Sequence, residues 1–327
     1  MSKKLLVVGG CGYIGSHMVK YLLEADYQVV VLDDLSAGDG SSLLGGELVV
    51  GDCGDRSLLL ELFDQHRFDG VLHFASLIQV GESMIDPAKY YHCNFSKTLV
   101  LLDVLKDQAN IPLIFSSTAA VFGEPDYCPI DEAHSQKPIN PYGMSKYMVE
   151  CALSDFDSAY GLRSVALRYF NAAGSDPESR IGERHDPETH LIPLAMQAVL
   201  GARPPLKVFG RDYDTPDGTC IRDYIHVDDL AQAHLLALEY LWQGGETTVF
   251  NLGNGEGFSV QQVLDTVAEV AAKPVPANDA PRREGDPARL VADASRAKSV
   301  LGWQPKFPDL ETIVKHAWAW EQKRSRA

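Results

Sequence analysis

The sequence predicts an α/β protein: a doubly wound parallel sheet followed by a smaller α/β unit. Three observations carry this. Short apolar runs alternate with helical stretches through the first half of the chain. The runs are continuously apolar, as strands buried on both faces require. Near Asn171 the texture changes to a long polar loop and shorter, mixed elements.

Taken in order, "KLLVV" is a buried strand that ends in glycines, and "IGSHMVKYLLEA" has helical spacing. "QVVVLD", "ELVV", "GVLHFA", "PLIFSS" and "SVALRYF" are further buried-strand candidates. Helices are expected over 57–65, 87–108 and 143–160, the second opened by the Asp86 cap and Pro87. This β-α-β alternation gives a first domain over 1–175. The stretch "NAAGSDPESRIGERHDPETH" has no period and reads as a long functional loop. Beyond it, helices are expected over 191–200, 227–241 and 260–271 and a strand at "TVFNLG". Ser259 and Gln262 have the spacing of a capping box. These make a smaller domain over 176–327, with some crossing of the chain between the two.

The 327 residues suit two packed domains. A net charge of −16 repels phosphate backbones and anionic membranes, so neither is an expected partner. The six cysteines form no CxxC pair and have no zinc-ligand spacing with histidine. No signal peptide or membrane span is legible, and the chain is expected in the cytoplasm. His185 and His190 flank Pro187 in a loop without evident metal-ligand company, so no metal is expected. Neither a P-loop nor a nucleophile elbow is present.

"GGCGYIGSH" places Gly9, Gly12 and Gly15 after a strand and at the mouth of a helix. The chain must turn tightly, admit a pyrophosphate to its backbone and pack helix against sheet; each need excludes a Cβ. The phosphates would sit at the helix N-terminus. Asp33 lies 18 residues after Gly15, at the end of the next strand. Its carboxylate can accept from ribose hydroxyls and repels a 2′-phosphate, which selects NAD over NADP. Asp34 can cap the next segment, and Asp52 in "GDC" can reach an adenine amino group.

Among 13 tyrosines only Tyr142 has a lysine four residues on, Lys146. On a helix the two share a face. A tyrosine acting as base near pH 7 must drop its pKa by about 3, or roughly 4 kcal/mol. One positive charge about 4 Å away at an effective dielectric of about 20 supplies that much, and burial opposes it. Lys146 and an oxidised nicotinamide together would give a margin. Ser116, Ser117 and Thr118 at the end of "PLIF" offer a hydroxyl on the ligand side of the sheet.

These motifs resemble the extended short-chain dehydrogenase/reductase family and, within it, the UDP-hexose 4-epimerases. The likeness covers nearly the whole chain, including "HFASLIQVGES", "NPYGMSK", "LRYFNAAG", "ETHLIP", "DGTCIRDYIHVDDLA", "FNLGNGEG" and "PRREGDP". It implies that Tyr142 removes the proton from the sugar 4-hydroxyl as hydride leaves C4 for NAD. Thr118 would relay that proton, and the 4-keto sugar would turn over and recover the hydride on its other face. It implies NAD contacts from Gly12, Tyr13, Ile14, Asp33, Asp34, Asp52, Cys53, Phe74, Ala75, Asn94, Lys146 and Phe170. Arg222 and Arg283 would grip the substrate diphosphate. Asn171, Leu191, Phe209 and Asp286 would line sugar, uridine and ribose, with His190 beside the phosphates. Leu290 stands where side-chain size sets the accepted sugar, so N-acetylhexosamines and pentoses stay open beside glucose and galactose. Ile78 replaces a lysine that some relatives place on the cofactor, which implies weaker retention. A homodimer through 87–108 and 143–160 is also implied. A dehydratase would need acidic residues after Thr118, where Ala119 and Ala120 stand. A non-catalytic NAD sensor would need neither the Tyr–Lys pair nor the second domain.

Overall fold

A computed structural model describes residues 2–108, 110–283 and 286–326; two residues of the "PRREGDP" motif, 284 and 285, lie outside it. The chain runs through β1 (Lys4–Val8), α1 (Tyr13–Glu24), β2 (Gln28–Asp33), β3 (Glu47–Val50), α2 (Arg56–Gln65) and β4 (Gly70–His73). It continues with α3 (Val80–Ile85), α4 (Pro87–Tyr90), a π-helical turn (Tyr91–Ser96), α5 (Lys97–Leu105), β5 (Leu113–Thr118), α6 (Pro141–Tyr160) and β6 (Ser164–Tyr169). The later part holds β7 (Asn171–Ala173), α7 (Leu191–Val199), β8 (Leu206–Phe209), β9 (Ile221–Arg222), β10 (Tyr224–His226), α8 (Val227–Trp242) and β11 (Thr248–Leu252). It closes with β12 (Phe258–Ser259), α9 (Val260–Ala271), β13 (Ala277–Ala280), β14 (Arg289–Leu290), α10 (Ser295–Leu301) and α11 (Leu310–Arg324).

Seven parallel strands form one sheet in the order β11-β6-β5-β4-β1-β2-β3. Successive residues of β1 serve opposite layers. Leu5 and Val7 join a core with α1 and α8, and Leu6 and Val8 join one with α2, α5 and α6. Burial on both faces is why the run is continuously apolar. "ELVV" departs from the buried-strand expectation: β3 is half-exposed because it ends the sheet and has one neighbour. Strand order reverses between β1 and β4, and the crevice beyond their carboxyl ends is where such sheets take ligands.

The helix expected over 87–108 ends at Leu105 and is interrupted by the π-helical turn that holds Asn94. Such turns concentrate at functional sites. α6 starts at the Asn140 cap, which accepts from the Gly143 amide at 2.8 Å, and stops at left-handed Gly161. Both halves of the Ser259–Gln262 capping box are present on α9.

The chain beyond residue 175 does not stay apart in space. "TVFNLG", expected in the smaller unit, is the seventh strand of the large sheet and pairs with β6. Phe250 and Leu252 are fully buried there, as the apolar run demands. α8 likewise packs on α1 in the first core. The remaining helices α7, α9 and α11 enclose a separate core with β8 and β10.

A buried ionic knot fastens the long loop to the first layer. The Lys20 ammonium lies 2.8 Å from Asp176 and 2.7 Å from Asp228, and Arg180 forks onto Asp176. Burial alone would raise the Asp176 carboxyl, but hydrogen bonds from Arg180 and Lys20 outweigh it and hold the pKa well below the usual range. Removing one partner of a buried pair costs about 3–5 kcal/mol. Asp176→Ala is therefore expected to lose about that much at pH 7, measured by denaturant unfolding. The same contribution is fully present above the unfolded carboxyl's pKa and fades as pH falls toward the depressed folded value. The melting points of wild type and variant should therefore converge in acid.

Candidate active site

A cleft of about 720 Å³, counting its open mouth, lies at the reversal point, walled by Gly9, Gly12, Asp33, Cys53, Phe74 and Ala75. Its floor depends on missing side chains. A Cβ on Gly9, at φ +81°, would meet the Ala75 nitrogen at 2.3 Å, and one on Gly15 would meet the Gly9 carbonyl oxygen at 2.1 Å. A Cβ on Gly12 would meet protein only at 3.6 Å and would instead occupy the cleft. α1 begins at Gly12 with no side-chain cap, so its first amides face this space unpaired by side chains. Helix N-terminus, glycine floor and an acid at the end of β2 fit a dinucleotide.

The Asp33 carboxylate is fixed by the Cys11 and Leu35 amides at 2.8 and 2.9 Å, one on each oxygen, and retains lone pairs for ribose hydroxyls. Asp34 caps Ser36. The Asp52 carboxylate takes Lys97 at 2.5 Å and the Gly54 amide, and Lys97 itself lines the cleft. Burial, then Asp52, raises the Cys53 thiol to about 12, so it serves as an inert wall. The Tyr13 ring turns away, its hydroxyl donating to the Gly174 carbonyl at 2.7 Å, which leaves only its backbone for a cofactor. Ile14 packs into the core. The Asn94 amide spans the Leu77 backbone in both directions and donates to Ser145, so it ties the β4 loop to α6. Ser36, Ala37, Gly38, Cys93 and Lys97 also line the cleft and were missed, because no sequence spacing marks them.

Tyr142, Lys146 and Glu150 run down one face of α6 against the end of β5. Each of three consecutive β5 residues meets a different partner. The Ser116 carbonyl accepts from Lys146 at 2.8 Å, the Ser117 hydroxyl donates to Glu150, and the Thr118 hydroxyl acts on the Tyr142 phenol, lowering its pKa. The Ser116 hydroxyl pairs with Tyr169. Arg168 on β6 forks onto both Glu150 oxygens, its Nε at 3.0 and 3.1 Å. Glu150 was missed, although its i+4 spacing from Lys146 was the available signal. Burial raises the Tyr142 phenol, and the Thr118 hydrogen bond pulls it back. Burial lowers Lys146 to about 7, against the pull of Glu150. The chain alone thus favours a neutral phenol, a difference from the lysine-lowered phenolate expected from spacing. The reason is burial, which raises the phenol and lowers the ammonium alike.

The predicted substrate residues lie on several elements of the later part of the chain. Arg222 on β9 pairs with Asp286, and the Arg283 guanidinium stacks on Phe209 with 4.0 Å to the ring centre. β14 sets Leu290 beside Arg222, and Leu290 and Phe170 pack on the small cluster of Ala119, Val121, Phe122 and Ile130. Asn171 opens β7 opposite Tyr224, its amide held by the Asp223 carbonyl. Leu191 begins α7 and packs into the second unit's core. The expectation that His185 and His190 lack company is wrong. The loop folds back so that Glu183, His185, Glu188 and His190 bring ligand atoms within 4.8 Å of one another.

The sequence model of the NAD dependent epimerase/dehydratase family matches residues 5–253. The chain belongs to that family of NAD-using sugar-nucleotide enzymes. Its relatives narrow the comparison. It is 51% identical over 325 residues to UDP-glucose 4-epimerase of Rhizobium meliloti (strain 1021), covering 99% of each chain. The corresponding protein of Halalkalibacterium halodurans is 50% identical over 98% of this chain and 96% of its own. The crystal structure of UDP-glucose 4-epimerase from Brucella ovis in complex with NAD superposes with a TM-score of 0.95 at 47% identity, covering 97% of this chain and 98% of that one.

Two outcomes test the site. Gly12→Ala should keep the wild-type melting point and weaken NAD binding by calorimetry, whereas Gly9→Ala should lose about 1–3 kcal/mol of stability from strain alone. Lys146→Met in nucleotide-free protein should raise stability at pH 6. The folded pKa lies below the unfolded one, so wild type carries the cost of a buried charge at low pH and recovers it as pH climbs from about 7 toward 10.5. That cost is several kcal/mol, reduced by about 1–3 for the unsatisfied Ser116 carbonyl. The variant's advantage in thermal melts should shrink by pH 9.

Proposed function

We propose that the chain inverts C4 of a UDP-hexose, interconverting UDP-glucose and UDP-galactose, with Tyr142 as the base. The observation that carries the reading is the half-buried Tyr142 at the start of α6, one helical turn from the buried Lys146, on a helix that Asn94 ties to Leu77 in the cleft wall. When bound, NAD takes the C4 hydride and returns it, and the charge on its oxidised ring favours the phenolate.

Tyr142 accepts the proton of the sugar 4-hydroxyl and gives it back after the ketone has turned. Thr118 orders that transfer: its hydroxyl can donate to the phenolate or to the sugar oxygen, and the Ala120 amide fixes its position at 3.2 Å. Lys146 supplies the nearby positive charge and can shift from the Ser116 carbonyl to a ribose hydroxyl. Arg222 and Arg283 neutralise the diphosphate on an acidic protein, with Asp286 holding Arg222 in place until substrate arrives. Phe209 offers its ring between Arg283 and a uracil. His190, half-exposed at the start of α7, adds a donor near the phosphates.

The relatives named above, all UDP-glucose 4-epimerases, support this reading over one for N-acetylhexosamines, pentoses or a non-catalytic NAD sensor. A homodimer follows the same line of inference, through α4–α5 and α6. The exposed Met84, Ile85 and Tyr160 side chains near those helices are the apolar surface a second subunit would cover. Six unpaired cysteines suit the reducing cytoplasm, and among the described residues no helix is long and apolar enough to cross a membrane.

Purified protein given UDP-galactose should produce UDP-glucose, followed by proton NMR of the anomeric signals, and Tyr142→Phe should lower the rate by about 10²–10⁴-fold while NAD stays bound. Unchanged turnover in that variant would remove Tyr142 from the role. Arg222→Ala should raise KM far more than it lowers kcat, as loss of binding shared by ground and transition states does.

A further inference from the structure

Loop 174–190 closes on itself through Glu183, His185, Glu188 and His190. Both imidazoles turn Nδ1 toward Glu183 Oε1; His185 lies 3.0 Å from it and 3.7 Å from Glu188 Oε1. The Glu183 side chain is 7% exposed and that of Glu188 also 7%. His185 Nδ1 is buried with no aligned hydrogen-bond partner, despite its closeness to two carboxylates. An ion there would replace the proton that the two carboxylates favour on that nitrogen. Among the described residues this is the group of His, Cys, Asp and Glu whose donors converge on a common point.

We propose that these four side chains form a closed structural site for one Zn²⁺. Two imidazoles and two carboxylates are the donor mix of a borderline ion; calcium or magnesium would call for oxygen alone. Four protein ligands leave no open position, which marks a structural site rather than a catalytic one. With bonds of about 2.0–2.1 Å, a tetrahedral ion needs donors about 3.3 Å apart, between the 3.0 and 3.7 Å found around His185, so loading moves His190 off Glu183 and draws in the donors that now lie up to 4.8 Å apart. Two carboxylates and two neutral imidazoles balance the ion's charge, so the loaded site is neutral and loading releases the protons that the carboxylates hold on the rings. The site cross-links the loop between Tyr13, which holds its start, and α7, which begins at Leu191. Ligation through Nδ1 also fixes the His190 proton on Nε2, leaving a defined donor on that ring.

The test uses the full-length NAD-loaded protein, treated with a chelator and titrated with Zn²⁺ by calorimetry. One ion per chain is expected. His185→Ala and Glu183→Gln should each raise the Kd by more than about 100-fold, beyond the 10–100-fold that losing an outer partner costs. Circular dichroism and NAD content identify a variant that has not folded. Co²⁺ in the wild-type protein gives a readout that needs no variant. Intense visible ligand-field bands without thiolate charge transfer are expected for tetrahedral N/O ligation. A thiolate band would assign the metal to a cysteine and overturn the proposal. So would failure to bind Zn²⁺, or unchanged affinity in a folded His185→Ala protein; the four residues would then be a charge-paired latch only.

Discussion

The geometry of this site depends on the buried clasp between Glu150 and Arg168. Glu150 faces strand ends rather than solvent, and both its oxygens are held by a guanidinium on β6 while the Ser117 hydroxyl on β5 reaches it as well. A bidentate pair of this kind fixes direction as well as distance. It sets the rotation of α6 about its own axis, and that rotation delivers Tyr142 to Thr118 and Lys146 to Ser116. The Tyr142–Lys146 pair is therefore aimed from behind, by a pair on the far side of Lys146. A helix on the outside of a parallel sheet has few other constraints on rotation, since apolar packing tolerates slippage that a fork does not.

Burial is the second consequence of the clasp. It pushes the Tyr142 phenol up and the Lys146 ammonium down, so both groups lean toward neutrality in the chain itself. An acid/base device held in this condition is quiet until another positive charge enters the site.

Much of this was legible in the sequence. The seven-stranded sheet announces itself because strands buried on both faces carry unbroken apolar runs, as 5–8 in β1, 113–115 in β5 and 165–167 in β6 do. The glycine floor was legible because close backbone approach leaves glycine as the sole option. Features resting on long-range proximity were not. Lys97 reaches the cleft from the far end of a π-helical turn, and no local pattern encodes that. Arg168 reads as one charge in an apolar strand until Glu150 is known to lie behind it. His185 and His190 read as lacking metal-ligand company because Glu183 and Glu188 join them only when the long loop folds back. The weight of burial at Tyr142 was not legible either: spacing places Lys146 on the right face but does not reveal how far burial works against both charges in the chain alone.

The return of the chain to complete its first layer bears on synthesis. β11 closes the sheet beside β6, and α8 covers α1, yet both are encoded after α7, β8, β9 and β10. A nascent chain that has emerged through β6 has six strands and a glycine loop, but α1 lies bare on the side that α8 will cover. Domains usually fold as units in the order they emerge. Here the first layer must wait for residues near 250, by which point part of the substrate unit has been made. The two halves are therefore coupled from the ribosome onward, and a truncation between them would yield an open sheet edge in place of a free-standing nucleotide-binding domain.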